Sequence, residues 1–132
     1  MFEGLLRAAE EVAVLDPADL ARRDVVPALA AIERSRRLLE AAAARVVARI
    51  DTDGIYADAG YHARNTRDLL QSREHLSGAD ANRRVLAARV LEHLPHTAGA
   101  FAAGAISTDH VAALGRGLSA ETALALAAGF LH

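Results

Sequence analysis

From Asp24 to about Thr52 the chain carries no glycine, and its one proline there, Pro27, falls in what would be the first helical turn, where a missing N–H does no harm. Alanine and arginine fill most of the remainder, and both are strong helix formers. Such a stretch has one stable local structure, an unbroken α-helix ended by Gly54. Along it Leu29, Ile32, Leu39, Ala43, Val46 and Ile50 follow a 3,4 alternation broken only by Arg36, the spacing of a helix laid along another helix. A bundle spine and a dimeric coiled-coil seam both fit that spacing. A seam needs a longer run, so the spine is the expected arrangement.

The rest of the chain reads as shorter helices with clear punctuation. Phe2, Leu5, Leu6, Ala9, Val12 and Ala13 recur at helical spacing and define an apolar stripe that should end near Leu15. Asp16 and Pro17 look like the cap and first residue of a new turn, with Asp19 facing its positive end. The segment "GIYADAGYH" reads as a loop. Asn65 with Asp68, and Ser77 with Asp80, are capping pairs for a short helix "TRDLLQS" and a longer one reaching Leu94. Pro95 starts another helix, Gly104 closes it, Ser107 caps "TDHVAAL", and Ser119 caps the last. The fold class expected is all-α: a multi-helix bundle with one long central helix and a C-terminal set of short helices, forming a single domain over residues 1–132. Within it Phe101, Ile106, Val111 and Leu114 should meet the long helix. His110 is either a polar tie within its segment or an exposed contact, and its apolar neighbours favour the tie.

Composition removes several function classes. The chain has no cysteine, so thiolate metal sites, disulfides and cysteine nucleophiles are excluded. A formal net charge of -2 argues against a surface built throughout to attract phosphate, so any nucleic-acid contact must be local. No run is long and apolar enough for a membrane span, and the amino terminus lacks the basic start of a secretory signal, so a cytoplasmic location and no membrane partner are expected. No phosphate-cradling glycine loop or G-x-S-x-G elbow occurs, and no catalytic, cofactor or metal site is expected. His75, Asn82 and His93 occur in the order of a His-Asn-His nuclease signature, but one turn and one helix cannot supply the strand-borne base and facing metal ligand that such a site needs. His93 and His96, flanking Pro95, lack a third ligand.

One constellation remains. "LLQSREHLSGADANRRVLAARVL" has the outline of a helix-turn-helix, whose second helix offers its first turns to the major groove of duplex DNA. Candidate DNA contacts are Arg64, Arg67, Arg73, Asn82, Arg83, Arg84 and Arg89, because guanidinium and carboxamide groups supply the donors that phosphates and base edges accept. Asp68, Glu74 and Asp80 among them dilute the potential, and helix pairs joined by short turns are also common packing units. Asn82, Arg89 and His93 share one stripe of the second helix. Ala81, Val85 and Ala88 share another that should be buried.

The run "ALAAIERSRRLLEAAAARVVARIDTDGIYADAGY" followed by "DLLQSREHLSGADANRRVLAARVLEHLPHTAGAFAAGAISTDHVAAL", roughly residues 25 to 118, resembles the actinobacterial domain-of-unknown-function family 222. The most specific matches are Leu94, Pro95, Thr97, Ala98, Gly104, Ile106, Ser107, His110 and Val111, with Ala81 and Ala88 at the family's seven-residue alanine spacing. The chain departs where the family usually has a tryptophan, since Leu69 or Leu70 stands there, and has His75 where a glycine commonly precedes "LS". The resemblance implies a non-catalytic helical domain that usually precedes a His-Asn-His (HNH) endonuclease module, a module whose signature is absent from these residues. Two functions follow as expectations: an accessory domain that helps such a nuclease engage DNA through a continuous arginine surface, or a structural or protein-interaction module that meets an HNH module or partner chain through exposed helix faces.

Overall fold

The computed structural model describes residues 1–116 and is all-α, with six α-helices and no strand among the described residues. The helix expected after Ser119 lies outside them. The described residues fall into two compact units, Met1–Glu33 and a second beginning at Arg34.

In the first unit, helix α1 spans Phe2–Ala13, two residues shorter than its apolar pattern suggests. The turn expected at Asp16 is a single 3-10 turn, Pro17–Asp19, in which the Asp16 carboxylate accepts the Ala18 N–H at 3.0 Å. A second such turn, Arg22–Asp24, leads into the long helix α2, Val25–Asp53. The apolar stripe of α1 is real as a pattern, yet no residue of the helix is buried, and Phe2 and Leu6 are 74% and 61% exposed.

In the second unit α2 continues to Asp53, and Gly54 ends it in the left-handed conformation, φ +64°. Helices α3 (Thr66–Arg73), α4 (Gly78–His93), α5 (Pro95–Ala102) and α6 (Thr108–Arg116) follow. Among the described residues three expected serine and asparagine caps form: the Asn65 side chain accepts the Asp68 N–H, Ser77 accepts that of Asp80, and Ser107 accepts that of His110. His75, in the turn before α4, takes φ +56°, the region that a glycine would occupy without strain.

Helix α4 is the hub of this unit. It packs on α3, α5 and α6, and Ala81, Val85, Ala87, Ala88 and Val90 place buried side chains around most of its circumference. A helix that buries side chains on several sides belongs near the centre of its unit. Two clusters meet there: Ala41, Ala44, Ala87, Val90, Phe101 and Val111 in one, and Val47, Leu70, Ala81, Val85 and Ala88 in the other.

The face by which α2 joins these clusters corrects the sequence expectation. Ala41, Ala44 and Val47 are the buried positions; Ala44 and Val47 each follow a residue of the expected stripe by one, about 100° around the helix, and Ala41 stands two residues from Leu39. Leu39 and Val46, on that stripe, are exposed in the second unit, as are Leu29 and Ile32 in the first. Small alanine side chains from both helices fill this cluster, where the larger side chains of the expected stripe face outward. Phe101 and Val111 are buried beside Ala41 and Ala44 as expected, with Ile106 packed against them, whereas Leu114 is exposed. His110 is exposed too, so the tie expected of it falls to other residues.

That tie comes from α2. Arg37 Nε donates to the Gly104 carbonyl at 2.6 Å, just past the end of α5. The Glu40 carboxylate accepts from both the N–H and the hydroxyl of Thr108, at 3.0 and 2.9 Å, at the start of α6. A cation at a helix carboxyl end and an anion at a helix amino end are the favoured placements for both dipoles. Gly104 has φ +75°, a conformation that favours glycine, and a Cβ there would lie 3.1 Å from Leu38 Cδ2 and push that side chain aside.

Candidate functional site

The seven candidate DNA contacts lie on or just before α3 and on α4, and their partners separate them. Arg64 Nε donates to Asp68 Oδ2 at 2.7 Å; this bond holds the Asp68 carboxyl below its ordinary range and raises the arginine. Arg73 stacks on Tyr61, its guanidinium carbon 4.9 Å from the ring centroid. Arg83 pairs with Asp80 and, at 3.2 Å, with Asp109 on α6. Arg84 is exposed on the side of α4 that faces a small cleft bordered by Glu40 and Thr108.

Arg89 is held most firmly. Its Nε and Nη2 donate to the two oxygens of Asp51 at 3.1 and 3.2 Å, a fork-on-carboxylate pair joining α4 to α2. Asp51 Oδ1 also accepts the hydroxyl of Thr66, which is 1% exposed, at 2.7 Å. The Arg89 hydrogen bonds pull the Asp51 carboxyl down, partial burial opposes them, and the Thr66 hydroxyl adds to the lowering; Arg89 is raised in return. Three helices therefore meet at one carboxylate, whose part the sequence reading did not anticipate. Its signal was a threonine directly after the Asn65 cap, at a position with no need of a hydroxyl unless something accepts from it.

The arginine surface expected from Arg64, Arg67, Arg73, Arg83 and Arg84 is thus divided. Arg64 and Arg83 face carboxylates of their own helices or neighbours, and Arg73 faces an aromatic ring. What the fold does bring together is Arg67, Asn82 and Arg89. They line a groove between α3 and α4 of about 390 Å³ with Asn65 and Thr66, and Val85 and Leu86 border it. Asn82 and Arg89 share one stripe of α4, as expected, and both are exposed, as are Ala79, Arg84 and Glu92 elsewhere on the helix.

The unit has a second concavity, an apolar groove of about 180 Å³ among α2, α4 and α5, floored by Ala44, Ala88 and Phe101 with Arg45 and Glu92 on its border. Among the described residues no group of three or more histidines, cysteines or carboxylates is placed to hold a metal ion. His75 stands in the turn before α4 while Asn82 and His93 lie along α4, the linear arrangement that spoils a His-Asn-His site. Within the described residues no helix is long and apolar enough to cross a membrane.

Neither a curated protein nor a solved structure matches this chain. A family model does, over residues 26–127, and its description is "Domain of unknown function (DUF222)". That span covers both helices of the groove, the Arg37 and Glu40 ties and the α5–α6 corner, and by it the chain belongs to the DUF222 family.

Proposed function

We propose that this chain is a non-catalytic helical accessory domain that acts by holding another polypeptide. The observation that carries this reading is α1: Phe2, Leu5, Leu6 and Val12 fall on one face of a helix with no buried residue. A twelve-residue helix is marginal in water on its own, and amphipathic helices owe their stability to whatever covers the apolar face. Glu3, Glu10 and Glu11 make the polar face acidic, which disfavours an anionic lipid surface and leaves a protein surface as the cover. We take as that protein an HNH endonuclease module, the neighbour implied by the resemblance over residues 25 to 118, a span that α1 precedes. Hydrogen exchange on the purified chain, alone and mixed with a separately produced HNH module, tests this. Amides of residues 2–13 should gain protection on mixing and lose it in the Leu5→Ser/Leu6→Ser variant; exchange that is identical with and without the module sinks the reading.

A further inference from the structure

We propose that the groove between α3 and α4 is a seat for a phosphate-type oxyanion, with Arg67 on the α3 wall and Asn82 on the α4 wall as its donors and Arg89 lining the same groove further along α4. This goes beyond the protein-holding reading and does not depend on it. The argument begins with charge. Arg64, Arg83 and Arg89 each have a carboxylate partner, whereas Arg67 has no ion pair among the described residues and no carboxylate lines the groove it borders. Asp68, the next residue along α3 and outside the cleft, feels the positive charge of Arg67, and no carboxylate inside the cleft answers it. Gly78, the first residue of α4, lets the Arg67 side chain lie across the turn: a Cβ at that position would stand 3.2 Å from Arg67 Nη2.

Preorganisation follows from the carboxylate behind the groove. Asp51 engages Nε and Nη2 of Arg89, which locks the plane of the guanidinium and leaves its Nη1 edge uncommitted. Asn82, seven residues earlier on the same stripe, is exposed and adds a neutral amide donor to the lining. Donors that line one groove from two helices suit an anion with oxygens in a tetrahedron. A planar carboxylate is satisfied by one guanidinium fork and would leave the others idle. The apolar flank of Val85 and Leu86 keeps one side of the cleft free of competing acceptors. Such an oxyanion occurs as a phosphodiester of a nucleic-acid backbone and as free phosphate, and the same contacts would serve both.

The test is side-chain NMR of the full 132-residue chain, following the Arg67 Nε–H and Asn82 amide signals. One arm titrates inorganic phosphate, and the other a short DNA duplex at two salt concentrations. Both signals should shift with phosphate, and Arg67→Ala should weaken the response about tenfold or more, as expected for loss of a charge-assisted contact. Asn82→Ala should weaken it less. If the duplex competes and its binding falls steeply with salt, the seat is for a backbone phosphate; if phosphate alone shifts the signals, the seat is for a small phosphate. Arg22→Ala, with the same charge change in the first unit, controls for general electrostatics. No shift in either arm, or equal losses in Arg67→Ala and Arg22→Ala, overturns the proposal. Circular dichroism confirms that each variant is folded, and both substituted groove residues are solvent-exposed.

Discussion

Helices α1 and α4 invert the usual relation between pattern and burial. Helix α1 has a clean apolar stripe and buries nothing, while α4 has apolar residues on nearly every side, no single apolar face, and five buried positions. Periodicity reports a helix with two environments, one wet and one dry. It does not say that the dry environment belongs to the same chain. Helix α4 is flanked by α2, α3, α5 and α6 and has no need of a stripe; α1 has a stripe and, in its own unit, no cover. The interior of this protein is consequently written in alanine and valine, and its largest apolar side chains are spent mostly on surfaces.

Three measurements would break or sharpen that contrast. The largest effect should come from the few big side chains that α4 does bury against: Phe101 is 2% exposed beside Ala87 and Val90, and Phe101→Ala should cost about 3–5 kcal/mol in urea unfolding. A cost below about 1 kcal/mol would mean that α4 is not the centre of the unit. Next comes the carboxylate joining α4 to α2 and α3. Asp51→Asn should destabilise by about 1–2 kcal/mol at neutral pH. Its carboxyl is held below the ordinary value of 3.8, so the stability it contributes is complete above the unfolded value and is lost as pH falls through the folded one. The difference between wild type and Asp51→Asn should therefore shrink in acid, below about pH 4; a constant difference would show that the pair carries no weight. The smallest effect belongs to α1, where Leu6→Ser should change the melting stability of the isolated chain by less than about 0.5 kcal/mol. A larger loss would place Leu6 in a core.

Local features were legible in the sequence and non-local ones were not. Asn65, Ser77, Pro95 and Gly104 act within four residues of themselves, and each does what its chemistry predicts. The buried stripe Ala81, Val85 and Ala88 was legible as well, because it is repeated on one helix. The packed face of α2 was not. Hydrophobicity ranks Leu39 and Val46 above Ala41 and Ala44, but close packing against an alanine-rich helix selects small volume over apolar weight. The candidate site divided for a related reason. Arg67, Asn82 and Arg89 come to one groove because Asn82 and Arg89 share a helical stripe, which spacing reveals. The partner of Arg89 lies 38 positions away, and no spacing rule reaches it. At His75 the family habit of glycine marked a left-handed position, which the histidine adopts at a cost of roughly 1–2 kcal/mol.

The two ties from α2 have a further consequence. Smooth alanine surfaces adhere at many offsets, since one methyl bump resembles the next, so the contact of Ala41 and Ala44 with Ala87 cannot by itself choose how far along α2 the α5–α6 corner should stand. Arg37 and Glu40, one turn apart and opposite in sign, grasp the carbonyl of Gly104 and the amide of Thr108. Sliding the corner by a turn in either direction would break both bonds at once and set charge against dipole of the same sign. The pair works as a key cut with two teeth, giving a featureless lock a single depth of insertion.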